Sequence, residues 1–272
     1  MSTADDPYSF FGDVVCINLE SRPDRRAYAQ KVFDDLRIPA RFLTVPKHPR
    51  GGIYGCFDSH MMVVLEALRE GKDNVLVFED DLLPTASYSP AQIQDAVRFM
   101  QSDSTWDIFY LGYMTFNFDS AFIQARPVGP RHPHVVQYNP FATHAMVYSR
   151  RAMESIAKTY RKYIEENMHY DIFLSGHAQL TNYCYVPTLF DQAMCMASDI
   201  EAATTLEWMC RSVQCAVERS KIVYYVSLLK YHLGRWWPPA MMFVVWVMFV
   251  AGVFACHRIF SRGTWGSTRK PA

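Results

Sequence analysis

The chain has 272 residues, half of them apolar and 15% aromatic, with 27 Lys and Arg against 27 Asp and Glu. The apolar content supports a sizeable core and excludes a disordered chain. A formal net charge of zero leaves no basic field to hold nucleic acid and no single-sign tail for a polyanionic partner. The length fits one large α/β domain or two small ones. Seven cysteines are scattered without a Cys-x-x-Cys pair or zinc-type spacing, which favours reduced core thiols.

Residues 1–12 are polar and acidic, with Asp5 and Asp6 and no apolar stretch, so they do not read as a signal peptide. Asp13 to Leu19 reads as a first strand, built on Val14-Val15-Cys16-Ile17. An Arg-rich loop leads into a helix starting near Pro23 and Asp24, with Ala29, Val32, Phe33 and Leu36 on one face. Arg41 to Val45 is a second strand. A Pro/Gly loop then leads to Asp58 or Ser59 as the cap of a helix over Met61 to Glu70, stopped by Gly71.

The next apolar run, Val75-Leu76-Val77-Phe78, has the pattern of a buried strand and ends in three carboxylates, Glu79-Asp80-Asp81. Trp106 to Leu111 and Phe141 to Tyr148 are further strands, separated by an irregular stretch with Pro127, Pro130 and Pro133. Arg151 to Ile164 is a helix with Met153, Ile156, Ala157, Tyr160 and Ile164 on one side. Strands alternating with helices predict a single α/β domain over residues 12–200.

The carboxyl-terminal part differs. Residues 201–235 have a mixed pattern and read as a helical stem. Trp236 to Cys256 carries no charge, and as a helix it spans about 30 Å, enough to cross a bilayer. Trp236, Trp237 and Trp265 fall where an interfacial aromatic belt would lie. Residues 236–258 are therefore expected to form one transmembrane helix, followed by a short basic tail at 259–272. The simplest topology is a single-pass tail anchor with the catalytic domain in the cytosol. Arg258, Arg262, Arg269 and Lys270 favour a cytoplasmic tail, while Arg219, Lys221, Lys230 and Arg235 compete from the other side and leave the orientation open.

Three clusters carry chemistry. Three acids at a strand end repel one another unless a cation sits among them, and the carboxyl ends of strands in open α/β sheets are where ligands bind. Glu79, Asp80 and Asp81 are thus candidate metal ligands, the alternative being a solvated acidic turn. Asn18 through Arg26 places an amide and three guanidinium groups (Arg22, Arg25, Arg26) at a strand end entering a helix, the usual partners of phosphate. The alternative there is a solvated, helix-starting loop. Gly55-Cys56-Phe57-Asp58-Ser59-His60 again enters a helix, and its histidine is either structural or part of a binding site.

Together these segments resemble glycosyltransferase family 25, which includes lipooligosaccharide and procollagen galactosyltransferases. The likeness rests on Ile17-Asn18-Leu19 with Arg22-Pro23-Asp24-Arg25-Arg26, on Gly55-Cys56 with Ser59-His60, and on Phe78-Glu79-Asp80-Asp81-Leu82. It continues through Trp106–Gly112, Thr143–Ser149 (where His144 stands in place of a commonly small residue), His169–Leu174, and Val186-Pro187 with Gln192 and Ser198-Asp199-Ile200. It covers residues 12–200 and leaves the stem and membrane segment outside.

The resemblance implies a GT-A-like, Rossmann-like nucleotide-sugar domain. It implies a metal-dependent transfer of galactose or glucose from a UDP-sugar to a hydroxyl of a glycan, lipid or protein acceptor, with inversion. Glu79, Asp80 and Asp81 would hold Mn²⁺ or Mg²⁺, and Asn18, Arg22, Arg25, Arg26, Ser59 and His60 would bind the nucleotide. Asp171, retained in a family-like motif, is the candidate general base, with a helix cap as its alternative role. A membrane-anchored binding protein that keeps the fold without catalysis is the competing reading.

Overall fold

A computed structural model describes residues 6–113, 126–177 and 179–193, together with positions 239, 242, 243 and 246–248. The chain divides into two units, Met1–Leu228 and Leu229–Ala272. In the second unit the described positions are helical and exposed, among them Phe243 and Trp246. The expected stem, most of the expected transmembrane helix and the basic tail lie outside the described residues. Among those described, no helix is long and apolar enough to cross a membrane.

The first unit is built on a mixed sheet. Its strands in chain order are β1 (Val14–Leu19), β2 (Arg41–Val45), β3 (Asn74–Glu79), β4 (Leu82–Pro84), β5 (Ile108–Gly112), β6 (Arg126–Pro127), β7 (Val135–Gln137), β8 (Ala145–Ser149), β9 (Asn182–Tyr185) and β10 (Phe190–Gln192). The spatial order is β2-β1-β3-β8-β5-β9-β7-β6, with β10 bridging β4 and β5. The strands β2, β1 and β3 are parallel, β8 runs antiparallel to both β3 and β5, and β9 is parallel to β5. The first three strands with their crossover helices make the Rossmann-like half.

The middle strand, β3, is paired on both edges and covered on both faces. Val75, Leu76, Val77 and Phe78 are accordingly all fully buried, which is why this strand reads as an unbroken apolar run. On one face, Leu76 and Phe78 pack with Phe33 of α1 (Pro23–Leu36) and with the cluster containing Ile93 and Phe99 of α3 (Pro90–Ser102). The helices α2 (Gly52–Arg69), α4 (Arg150–Glu165) and α5 (Tyr170–Gly176) supply a second apolar group through Phe57, Met61, Met153, Ile156 and Phe173. Each such large side chain contributes about 1.5–3 kcal/mol by leaving water.

The strands β1 and β2, and helices α1 and α4, fall within a residue or two of expectation. One helix does not. The segment expected to be a Pro/Gly loop up to Asp58 is already helical from Gly52, so Gly55, Cys56, Ser59 and His60 lie inside α2 rather than at its start. Gly51 adopts a positive φ of 98° just before that helix, which marks the true beginning. The expected use of the helix amino terminus by Ser59 and His60 is corrected accordingly. The Phe141 start for β8 also moves, to Ala145.

Candidate active site

Because β1 and β3 are parallel, their carboxyl ends meet. Ile17 pairs with Glu79, so the loop after Leu19 and the loop after Glu79 lie side by side. The antiparallel β8 brings its amino-terminal end to the same place, where the Glu79 amide donates to the His144 carbonyl. The sheet thus delivers the acids, the Arg-rich loop and Thr143 to one edge.

A cavity of about 150 Å³ opens there, lined by Arg25, Ser59, His60, Glu79, Asp80 and Asp81, with Cys56 and Gln192. The loop after β2, with Lys47, His48 and Gly51, and the first residue of α2, Gly52, also line it. A Cβ on Gly55 would meet the His48 Cβ at 3.0 Å, so glycine lets this loop lie against α2.

The three acids have distinct surroundings. Glu79 Oε1 accepts from Thr143 Oγ1 at 2.6 Å and lies 3.2 Å from His60 Nε2. Burial alone would raise this carboxyl, but His60 and Thr143 outweigh it and hold Glu79 well below the usual carboxylate range. Asp80 is buried, with Oδ2 accepting from Asn18 Nδ2 at 2.7 Å and Oδ1 from Arg25 at 2.9 Å. Asp81 lies 3.3 Å from the other arm of the same Arg25, and its Oδ1 is buried without any hydrogen-bond partner. Burial, then the charges of Glu79 and Asp80, push the Asp81 carboxyl up to about 7. One guanidinium therefore bridges two of three neighbouring acids, and the third is held by a histidine and a hydroxyl.

Of the six residues expected to bind nucleotide, Arg25, Ser59 and His60 line the cavity. Asn18 sits behind it, tying Asp80 to the Arg22 carbonyl. Arg22 makes a two-pronged pair with Asp24 at 2.9 and 2.8 Å, and Arg26 donates to Thr44 and covers the Phe42 ring at 4.6 Å. Neither lines the cavity.

Asp171 does not line it either. Its Oδ2 accepts from the Ala142 amide at 3.1 Å and its Oδ1 from the Ile172 amide at 2.8 Å. Ala142 has a positive φ of 69°, so Asp171 holds a strained residue directly before Thr143. The cap of α5 is His169, so Asp171 stands in the first turn of that helix rather than at its cap.

Sequence reasoning missed Lys47, Gln192 and Cys56 as parts of the cavity wall. Lys47 carries no local signal, whereas Cys56, four residues before His60, and Gln192 both lay in motifs already singled out. His144 is buried behind the site with Nε2 3.3 Å from the Phe190 carbonyl. Gly112 makes room for it: a Cβ there would come within 2.7 Å of the imidazole.

No protein-family model matches the sequence. A curated protein described as a glycosyltransferase 25 family member, from Drosophila melanogaster, is 29% identical over 129 residues. The match covers 36% of this chain and 20% of the fly protein, so the chain spans about a fifth of the relative it matches. Among solved structures, a glycosyltransferase involved in glycosylation of the major capsid of PBCV-1 aligns at 11% identity and TM-score 0.42, over 69% of this chain and 96% of that one. The galactosyltransferase LgtC, in complex with donor and acceptor sugar analogues, gives 11%, 0.38, 74% and 95%. The UTP-bound UGPase of Acinetobacter baumannii gives 12%, 0.39, 84% and 85%. At these TM-scores the structural likenesses are too distant to fix the fold or the activity. The motif likeness and the fly relative point the same way: this chain is similar to glycosyltransferase family 25.

Proposed function

We propose that the chain is a glycosyltransferase that transfers a hexose, galactose or glucose, from a UDP-sugar to a hydroxyl of a glycan, lipid or protein acceptor with inversion. The observation that carries this reading is the charge deficit at the cavity: three consecutive acids meet one Arg25, and Asp81 Oδ1 is buried with no partner. A cation accompanied by a diphosphate would supply both the missing positive charge and a ligand for the guanidinium.

The residues fit a hard divalent cation, Mn²⁺ or Mg²⁺, in part. Asp81 and Glu79 line the cavity and Asp81 keeps one oxygen unpartnered, whereas both oxygens of Asp80 are already bonded, so Asp80 acts here as the support that aims Arg25. The ion, when bound, would neutralise the departing nucleoside diphosphate. Arg25 would grip the diphosphate, with Ser59 and His60 on the wall beside it. Asn18 keeps Asp80 in place, and Asp171 positions the Ala142–Thr143 turn that in turn holds Glu79. The GT-A-like domain would extend over residues 12–200. A stem at 201–235, a transmembrane helix at 236–258 and the basic tail complete the proposed organisation, with the domain on the cytosolic side. The support for these is the uncharged stretch and its flanking tryptophans.

The test is release of UDP by the full chain from UDP-galactose and UDP-glucose, with Mn²⁺ and an acceptor panel. Glu79→Gln and Asp81→Asn are each expected to lower turnover by about 10²–10³-fold while circular dichroism stays unchanged. Full activity in both variants would sink the metal assignment. Binding without turnover across the panel would select the membrane-anchored binding protein instead.

A further inference from the structure

We infer that Cys56, His60 and Glu79 form a second metal site, selective for a borderline transition ion of the zinc class. The ligand atoms of these three residues lie within 4.8 Å of one another. Cys56 and His60 are four residues apart on α2 and so share one face of that helix, while Glu79 comes from the end of β3. A thiol, an imidazole and one carboxylate are the donor set of zinc-class ions, unlike the all-oxygen set that suits Mg²⁺ or Mn²⁺.

The spacing is close to what such an ion requires. Tetrahedral Zn²⁺ with bonds of about 2.0–2.3 Å holds its ligand atoms roughly 3.3–3.8 Å apart. His60 Nε2 and Glu79 Oε1 already stand 3.2 Å apart, and the Cys56 sulfur lies within 4.8 Å of a ligand atom on each.

Two further observations point to a ligand here rather than to a chance cluster. Metal-binding imidazoles and carboxylates are held in position by outer hydrogen bonds, and both are present. His60 Nδ1 lies 3.1 Å from the Tyr148 hydroxyl, which itself donates to Tyr170, and the His60 ring stacks on Tyr170 at 4.6 Å. Nε2 is therefore the nitrogen aimed at Glu79. Glu79 is fixed in turn by Thr143 Oγ1 at 2.6 Å. All three ligands also line the cavity, which leaves a fourth coordination position open to an exogenous group. Three protein ligands and one open position are the pattern of a reactive rather than a purely structural zinc.

The site can be tested without any nucleotide sugar, so its failure is separable from failure of the transferase reading. Co²⁺ titrated into the full chain is expected to give a thiolate-to-metal absorption band at one equivalent, bleached by one equivalent of Zn²⁺. Cys56→Ser should abolish the band. Glu79→Gln, which preserves volume, should keep the band and weaken Co²⁺ binding at least tenfold. Thr143→Val removes only the outer partner and should weaken it about 10–100-fold. Absence of the band in the unmodified chain, or its persistence in Cys56→Ser, would overturn the site. So would affinity unchanged in both Glu79→Gln and Thr143→Val.

Discussion

The two ends of the central sheet treat buried aspartates differently. At the amino-terminal end of β5, Asp107 is buried and satisfied: Oδ1 takes Arg151 Nε at 2.7 Å, and Oδ2 takes the Thr181 amide at 2.8 Å. At the carboxyl ends of β1 and β3, Asp81 is partly buried, yet it has half a guanidinium and a buried Oδ1 with no partner. The same side chain closes a structural joint in one place and is left short of positive charge in the other. An imbalance kept at a cavity wall, in a protein that satisfies both oxygens of its buried Asp80 and Asp107, is what a binding site for cationic or cation-bridged ligands requires.

The sharpest way to break the comparison is to neutralise each aspartate. Asp81→Asn should remove about 10²–10³-fold of turnover and little stability, as argued above. Asp107→Ala should do the reverse. It strands the Thr181 amide and releases Arg151, costing about 2 kcal/mol of unfolding free energy in a urea titration, with donor binding unchanged. The cost stays below that of a fully buried ion pair because the Arg151 side chain is 56% exposed.

An effect of similar size concerns pH. The Asp81 carboxyl is raised from the ordinary 3.8 to about 7 in the folded protein, so the folded state holds this proton more tightly than the unfolded state. That contribution is present below about pH 4 and is lost as pH rises toward 7. Metal-free protein should therefore lose about 1–3 kcal/mol between pH 4.5 and pH 8 relative to Asp81→Asn. Parallel urea midpoints that move together in both proteins would contradict the imbalance. At the bottom of the scale, Lys31→Ala on the exposed face of α1 breaks an i,i+4 pair with Asp35 and should change stability by less than about 0.5 kcal/mol.

What was legible in the sequence follows the same division. The strands β1, β2 and β3 and helix α1 could be read because local periodicity and burial agree there. The start of α2 was not, since Gly51-Gly52 reads as a loop. Each helical glycine costs about 1 kcal/mol, offset here by burial of Phe57, Met61 and Val64 along the rest of the helix. Helix α3 carried a readable signal that was passed over: Ser89 caps it, Pro90 opens it, and Ile93, Ala96, Val97 and Met100 repeat at helical spacing. Strands β9 and β10 are too short for any pattern.

In the site, the acidic triplet and Arg25 were visible because they sit at the ends of well-marked elements. The approach of Cys56 to Glu79 was not, because it depends on how α2 crosses β3. The same holds for Lys47 and Gln192, which reach the cavity from loops and a three-residue strand.

The most direct test of the central claim, that the Asp81 imbalance is a cation-dependent donor site, is calorimetric titration of UDP and UDP-hexoses into the full chain with and without Mn²⁺. The account predicts binding that requires the metal and disappears in Asp81→Asn. Binding of equal strength without metal, or undiminished binding in Asp81→Asn, would contradict it.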